Sequence, residues 1–291
     1  MPPTVPQLGH ETAPQAGEIT TDAIRQFADA VGDANPIFRD EAAARAAGFA
    51  DIPAEPTFIT RFHIAFSEAG LDPEHTQVLH GEQEYAYERP LVAGDQISVR
   101  YVVAGVRQSR RADGMAIITL EQVCEAPDGT RPATGKAVVI VRDMTPGGAG
   151  ETTMGKQLPD LEGERIPTLT KHVTQEQINA YADVSGDHNP IHLDPAAARN
   201  VGLEGTIAHG MLSMAFLGQL LTDWTSSQPE RGGWVKRLRV RFQAMVRPGD
   251  TLTCGGALGA SEQGQQYIDL WINNQRGERV TTGDADVAYT R

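Results

Sequence analysis

The sequence predicts an α+β protein built from two copies of one domain in tandem. Two observations carry this prediction: a long motif occurs twice, and each copy shows helical periodicity first and strand-like stretches afterwards. A chain of 291 residues suits two domains, each of which typically needs ~100–200 residues. We expect four segments: an N-terminal tail over residues 1–17, a first copy over 18–142, a linker over 143–165 and a second copy over 166–291.

The repeat is clearest where Gly32–Gly48 (GDANPIFRDEAAARAAG) is set beside Gly186–Gly202 (GDHNPIHLDPAAARNVG). Eleven of the seventeen positions are identical at a constant offset of 154. The match extends downstream to the segments that end at Asp95 and Asp250. Self-similarity at a fixed offset indicates duplicated structural units. Gly, Thr and Pro dominate the segment between the copies, as is typical of a linker.

The helices of the second copy follow from capping signals and periodicity. Thr174 is a suitable N-cap, and Gln177 three residues later completes a capping-box pattern. The apolar positions that follow fall on one helical face: Ile178, Tyr181, Ala182 and Ser185. Asp194 and Pro195 predict the start of a short second helix. The apolar run Met211–Leu221, opened by His209 and Gly210, predicts a buried helix.

Everything after Trp234 is predicted to be strand. The expected strands are Val235–Val246, Asp250–Leu258, Gln266–Asn273 and Thr281–Tyr289. A helix followed by an antiparallel sheet that can wrap it is an α+β layer arrangement.

Composition narrows the class of partner and compartment. The net charge of −13 favours neither nucleic acid nor an anionic membrane as a partner. The first residues lack a basic segment and an apolar core, and no run of about 18 apolar residues exists, so we expect neither a signal peptide nor a membrane span. Cys124 and Cys254 each lie in an apolar stretch, and we expect two reduced, buried thiols. We therefore expect a cytoplasmic protein.

The motif GDxNPxH, a short Ala-rich helix, His-Gly-Met and a sheet together resemble the MaoC-like hotdog fold of (R)-specific enoyl-CoA hydratases and 3-hydroxyacyl-thioester dehydratases. The residues of the second copy that match are Tyr181, Val184, Ser185, Gly186, Asp187, Asn189, Pro190, Ile191, His192 and Ala198. The first copy resembles the N-terminal dehydratase-like module that often precedes such a domain, through residues 32–40, 52–58 and 80–85. The resemblance implies a double hotdog: two tandem hotdog domains, each an antiparallel sheet wrapped around a central helix.

The resemblance also implies an activity and its residues. The family catalyses reversible hydration of trans-2-enoyl thioesters to (R)-3-hydroxyacyl thioesters, with the catalytic Asp and His of the motif here at Asp187 and His192. A carboxylate and an imidazole within reach of one water can supply the base and the acid that hydration of a conjugated C=C needs. The family resemblance assigns the oxyanion-hole donor to Gly210, at a helix N-terminus. Asn189 is expected to hold the loop or to orient the water. The substrate is an acyl-CoA or acyl-carrier thioester, and we expect no cofactor and no metal.

The first copy has lost the equivalents of two of these groups. Asp33 persists, but Phe38 stands where the second copy has His192. Pro56 stands where the second copy has Gly210, and proline has no backbone N–H to donate. We therefore expect the first copy to be a structural and substrate-binding half, paired with the second as an internal pseudo-dimer. Further homo-oligomerisation stays open.

Several alternatives remain at this point. The chain could be an acyl-CoA thioesterase, or a non-catalytic subunit that binds acyl thioesters. For His209 the sequence favours a structural role. The alternating Arg237, Arg239 and Arg241 favour a solvated strand face, with the alternative that they bind the phosphates of a CoA or carrier arm.

Overall fold

The computed structural model describes residues 5–64, 67–71, 76–108, 115–143, 163–228 and 230–289. Most of the expected linker, residues 144–162, lies outside these described residues. Within them the helices are α1 (Thr21–Val31), α2 (Glu41–Ala46), α3 (Gln175–Ser185), α4 (Pro190–Leu193), α5 (Pro195–Asn200) and α6 (Gly210–Ser226). Two short 3-10 helices, Pro36–Phe38 and Phe58–Arg61, complete the helical elements of the described chain.

The strands form one antiparallel sheet of ten. They are β1 (Gln15–Glu18), β2 (Thr76–Tyr87), β3 (Gln96–Gln108), β4 (Met115–Glu125), β5 (Ala133–Asp143), β6 (Leu169–His172), β7 (Trp234–Phe242), β8 (Thr251–Glu262), β9 (Gln265–Asn274) and β10 (Arg279–Ala288). Their order across the sheet is β1-β3-β4-β5-β2-β7-β10-β9-β8-β6. Each copy contributes five neighbouring strands in the same internal order. The α+β prediction and the four strands expected after Trp234 are confirmed.

Equivalent residues begin and end the first helix of each copy. The Thr20 hydroxyl accepts a hydrogen bond from the Ala23 N–H in the first copy, and the Thr174 hydroxyl accepts one from the Gln177 N–H in the second. Gly32 and Gly186, with φ of 71° and 79°, end α1 and α3 in the left-handed conformation that glycine adopts without steric cost. The chain therefore leaves both helices in the same direction, and the GDxNP motif starts from the same geometry in each copy.

The long helix α6 is the centre of the core. Almost all of its residues are buried, as the apolar run Met211–Leu221 predicts, and it contacts strands β6, β7, β8 and β9. A helix that is apolar on every face has to be enclosed by the rest of the protein. The alternation of β9, in which every second residue is buried, provides one covering wall.

The first copy differs at the place of this helix. Where the second copy has α6, the described residues of the first copy form only the 3-10 helix Phe58–Arg61. Among the described residues α6 is thus the one long central helix, and it approaches the first copy at Gly218. A side-chain carbon on Gly218 would lie 2.3 Å from Oε1 of Glu55 and 3.6 Å from Cβ of Pro56.

The two half-sheets join where β2 pairs with β7. The pairs run from Glu82–Arg241 through Glu84–Arg239 to Ala86–Arg237. In this part of the chain equivalent residues are 155 apart, as Asp95 and Asp250 are. Exchanging the two copies therefore carries the first of these pairs onto the last and leaves the middle pair in place. The seam is therefore a local two-fold axis, as expected for an internal pseudo-dimer.

The row of arginines on β7 lies along this seam. Arg237 binds Asp286 at 2.7 Å and Glu84 at 3.4 Å, and it also binds Asp284. Arg241 binds Glu82 of the first copy. The row is thus an ion-paired ladder across β2, β7 and β10. Because carboxylates already compensate these guanidinium groups, the ladder is poorly suited to the phosphates considered in the alternative above.

Other expectations concern the cysteines and the membrane. Cys124 and Cys254 are free and buried, as predicted. In the part of the chain that the structure describes, no helix is long and apolar enough to cross a membrane. The segment expected as a tail includes part of β1, and residues 9–12 bind along β3.

We predict that Gly218→Ala destabilises the protein. In an open helix this change typically stabilises by about 1 kcal/mol, but here the methyl group would collide with Glu55. The Glu55 carboxylate cannot move away easily, because Oε2 accepts hydrogen bonds from the N–H and hydroxyl of Thr57. Overpacking of this kind costs ~1–3 kcal/mol, which urea unfolding would measure. Gly205→Ala is the matched control, since the added carbon has nothing within 4 Å; equal effects of the two changes would contradict the packing described here.

Candidate active site

Three side chains converge where the GDxNPxH loop meets the start of α6. Asp187 follows α3, His192 lies in α4, and His209 is the N-cap of α6. Each offers a side-chain nitrogen or oxygen atom, and these atoms lie within 4.8 Å of one another. His192 and His209 are buried, whereas Asp187 retains 27 % side-chain exposure. The structure therefore brings the predicted Asp187–His192 pair together, with the Asp187 side chain partly exposed.

Backbone hydrogen bonds fix the orientation of both imidazoles. His192 Nδ1 lies 2.8 Å from the carbonyl oxygen of Ile207. His209 Nε2 lies 2.9 Å from the carbonyl oxygen of Asp187. A carbonyl can only accept, so each of these nitrogens carries the proton. The rings stack with centroids 3.8 Å apart. His209 thus supports His192 from one side and holds the Asp187 backbone, which is the structural role that the sequence favours for it.

This arrangement leaves two acceptors facing each other. With its proton on Nδ1, neutral His192 presents the lone pair of Nε2, which lies 4.0 Å from Oδ2 of Asp187. Two acceptors that share one water at hydrogen-bond distance lie about 4.4 Å apart, given legs of about 2.8 Å and the angle of water. The spacing of Asp187 and His192 is therefore suited to holding one water by both of its O–H bonds.

The electrostatics favour the same protonation states. Burial acts to raise the pKa of Asp187, but the imidazoles of His63, His209 and His192 outweigh it, and the net pKa lies below its ordinary value. Burial lowers the pKa of His192, against the opposing charge of Asp187. At neutral pH the pair is an ionised carboxylate and a neutral imidazole, as the two-acceptor geometry requires.

Asn189 and Gly210, the other two predicted site residues, have separate surroundings. The Asn189 side-chain oxygen accepts from the Ile191 N–H at 3.3 Å, and the Asn189 N–H donates to Oδ1 of Asp187 at 3.2 Å. These contacts support the loop-holding role of the two that were considered. Gly210 is the first residue of α6, where a backbone N–H has no partner within the helix. A side-chain carbon at Gly210 would lie 3.2 Å from the ring of Phe242, so the position is also sterically restricted.

A metal ion is one conceivable ligand for three such side chains. The imidazole lone pairs lie in the ring planes, and the two rings are only 30° from parallel. Nearly parallel stacked rings do not direct their lone pairs at one common point, and one nitrogen of each ring is already bound to a carbonyl. The geometry favours proton transfer over metal ligation.

The first copy contributes to the surroundings of this site. Arg61 donates to the carbonyl oxygen of Val184 at 3.1 Å. Cβ of His63 lies 3.9 Å from the position that a Cβ on Gly186 would take. The loop after the 3-10 helix of the first copy therefore covers the residues that lead into Asp187. Sequence reasoning did not find this contact, because it joins residues far apart in the chain and in different copies.

The equivalent place in the first copy is enclosed and carboxyl-lined. Asp33, Phe38 and Glu55 are each only 1 % exposed. At the repeat offset of 154, Glu55 is the equivalent of His209, and Pro56 is the equivalent of Gly210. Burial raises the pKa of Glu55 to about 8, and burial raises that of Asp33 to about 6. The sequence aligned Glu55 with His209, but nothing in the repeat predicted that its carboxyl group is buried.

Comparison with known proteins agrees with this architecture. Residues 159–276 match the MaoC like domain, and residues 6–134 match the FAS1-like dehydratase domain region. A UPF0336 protein from Thermobifida fusca is 36 % identical over 140 residues, which cover 46 % of this chain and 90 % of that protein.

Among solved structures, a MaoC-like dehydratase superposes with a TM-score of 0.82 at 22 % identity, over 97 % of this chain and 98 % of that one. A Mycobacterium tuberculosis protein described as having a double hotdog fold superposes with a TM-score of 0.69 at 12 % identity, over 97 % and 96 % of the chains. The fold is thus a double hotdog, as predicted. The chain carries a FAS1-like dehydratase region followed by a MaoC-like domain. Over about half its length it belongs to the UPF0336 family.

We predict that the buried Glu55 makes stability fall as pH rises. Between pH 4.5, the ordinary glutamate pKa, and about pH 8, the folded protein keeps a proton on Glu55 that the unfolded chain releases. The contribution of Glu55 to the free energy of unfolding is therefore fully present below this pH range and decreases as the pH rises across it. Each pH unit of that range corresponds to about 1.4 kcal/mol, so the total loss is on the order of a few kcal/mol.

Glu55→Gln should reduce this loss, because glutamine does not ionise. The fold should be kept, because the amide oxygen can still accept hydrogen bonds from Thr57. The measurement is the free energy of unfolding at about pH 5 and pH 8, with exposed Glu262→Gln as the control. If stability changes between pH 5 and pH 8 by the same amount in Glu55→Gln as in the wild-type protein, Glu55 is ionised in the folded state.

Proposed function

We propose that the second copy catalyses reversible hydration of trans-2-enoyl thioesters to (R)-3-hydroxyacyl thioesters, through Asp187 and His192. The observation that carries the proposal is the pair of facing acceptors, Oδ2 of Asp187 and Nε2 of His192, 4.0 Å apart. The family relationship supports dehydratase chemistry in general, and the (R) configuration comes from the resemblance described above.

The chemistry follows from the protonation states. A water that donates to both acceptors presents its oxygen to C3 of the enoyl group. Neutral His192 is a stronger base than ionised Asp187, so it takes one water proton as the oxygen–C3 bond forms, and the carboxylate stabilises the resulting imidazolium. The pair then returns a proton to C2, so that one water is added in total.

The thioester itself supplies the electron sink, and no cofactor is needed. Negative charge develops on the thioester oxygen as the enolate forms. The N–H of Gly210, at the positive end of α6, is suited to stabilise that oxygen. In the first copy Pro56 offers no N–H at this place.

The first copy is proposed to act as the permanent structural partner. Its equivalent pocket has Phe38 where the imidazole would be, and both of its carboxyl groups are enclosed. We also propose a cytoplasmic location, which agrees with the two buried free thiols.

The decisive experiment compares equivalent substitutions in the two copies. Asp187→Asn and His192→Asn are each expected to lower kcat for hydration of an enoyl-CoA by about 10²–10⁴-fold. Asp33→Asn, at the equivalent place, should change kcat less than threefold. Loss of enoyl absorbance over short, medium and long acyl chains is the measurement.

Two results would contradict the proposal. Equal losses in Asp33→Asn and Asp187→Asn would exclude a single site in the second copy. Release of free thiol from saturated acyl-CoA by the wild-type protein, without hydration of enoyl-CoA, would favour a thioesterase.

We further predict that activity is lost on acidification. Burial lowers the pKa of His192 below 6.5, and only its neutral form can accept the water proton. The hydration rate should therefore be level around neutral pH and should fall only below the ordinary histidine value. A profile of kcat/KM against pH checks this, and an acid limb centred above pH 7 would contradict a lowered pKa of His192.

A further inference from the structure

His80 of the first copy lies beside the proposed active site of the second. It is on β2, and its ring meets that of Phe242 edge to face, with centroids 5.1 Å apart. The same Phe242 ring covers the α carbon of Gly210. His80 is thus separated from the proposed oxyanion donor by one aromatic ring.

The local two-fold axis shows which residue of the second copy is equivalent to His80. His80 directly precedes a bulge at Gly81 in β2, where the register with β5 shifts. Val235 directly precedes the equivalent bulge at Lys236 in β7, where the register with β10 shifts. The two bulges are related by the two-fold exchange at the seam. His80 and Val235 are therefore equivalent residues of the two copies.

Val235 shows what this position faces. It lines a cavity in the first copy together with Phe38, Glu55 and Pro56. These three residues are the equivalents of His192, His209 and Gly210. By the same symmetry, the position of His80 faces the pocket formed by His192, His209 and Gly210.

The imidazole of His80 has a free hydrogen-bonding atom there. Its Nε2 is buried and has no hydrogen-bond partner within the described residues, a state that usually has a functional or structural explanation. Burial lowers the pKa of His80 to about 4, although the charge of Asp187 acts in the opposite direction. At neutral pH the side chain is therefore an uncharged group that can donate or accept one hydrogen bond near Asp187.

We propose that His80 is a substrate-contacting residue of the second copy's site, and that its Nε2 forms a hydrogen bond with the oxygen at C3, as the reacting water and as the hydroxyl of the product. This inference rests on the proposed function and deepens it. The first copy then supplies His80 to the active site of the second copy. At the equivalent position the second copy supplies only Val235 to the cavity of the first copy.

The test compares two ligand pairs that differ only in the hydroxyl, and binding is measured in an Asp187→Asn background so that the (R)-3-hydroxyacyl ligands are not dehydrated. Binding of butanoyl-CoA and (R)-3-hydroxybutanoyl-CoA, and of the corresponding ten-carbon pair, is measured by calorimetry on the full chain. His80→Val is the variant, because Val235 shows that the equivalent place accommodates valine. His80→Gln places a side-chain amide close to the position of Nε2 and so restores a hydrogen-bonding group. His172→Val, on the edge strand β6, is the control.

In His80→Val we expect binding of the hydroxyacyl ligand to weaken about five- to tenfold, as for loss of one neutral hydrogen bond. Binding of the saturated ligand should change less than twofold. For hydration, kcat should fall while KM for the enoyl-CoA stays nearly constant, because the enoyl substrate lacks the oxygen. His80→Gln should recover most of both effects, and His172→Val should behave as wild type.

Equal weakening of both ligands would show a merely structural role and overturn the inference, and so would unchanged binding and turnover. If the wild-type protein hydrates enoyl-CoA normally in those cases, the proposed function stands without His80. If the wild-type protein neither binds these thioesters nor hydrates enoyl-CoA, the proposed function fails and the inference fails with it.

Discussion

The hydrogen bonds between β2 and β7 join the two copies into one sheet, and the position of every functional group depends on that pairing. They centre a two-fold axis on the Glu84–Arg239 pair. Around that axis, α6 of the second copy can be enclosed from both sides, although the first copy has no equivalent long helix among its described residues. Ion pairs from Arg237 and Arg241 to the first copy accompany the strand pairing. Pairs that keep contact with solvent contribute little each, so the strand pairing and the burial of α6 hold the seam.

The side chains of the candidate active site meet at the start of α6. His209 caps the helix and binds the backbone of Asp187, which ties the GDxNPxH loop to the helix end. Gly210 follows at once with an N–H that the helix does not use. The acceptor pair and the proposed oxyanion donor thus lie together at one helix terminus, next to the core around α6.

The duplication also distributes polar groups unequally. In the first copy, Phe38 and two enclosed carboxyl groups replace an open acid–base pair, and Glu55 keeps its proton to about pH 8. Such a buried carboxyl costs stability at neutral pH and does no chemistry in the proposed reaction. Its place against Gly218 suggests instead that it fills space beneath α6. The inferred contribution of His80 gives the first copy a second role, in the partner's site.

Much of this could be predicted from local sequence. The repeat, the cap at Thr174, the helix at Met211–Leu221 and the strands after Trp234 depend on residues close in the chain, and capping signals and periodicity indicate them directly. The family resemblance named Asp187 and His192 because the motif holds them five residues apart. The tautomer of His192 could not be predicted, since it depends on the carbonyl of Ile207. That the described residues of the first copy form no long central helix also leaves no simple signal in the repeat.

The sequence by itself determined that this protein is a duplicated α+β chain with one intact acid–base motif, because those properties lie in residue identity and spacing. Only the tertiary structure decided that α6 approaches the first copy at Gly218, that the arginine row is ion-paired across the seam, and that His63 and His80 of the first copy lie beside the second copy's site. The physical reason is that these contacts join residues far apart in the chain. Strand register across β2 and β7 brings them together, and no local pattern encodes that register.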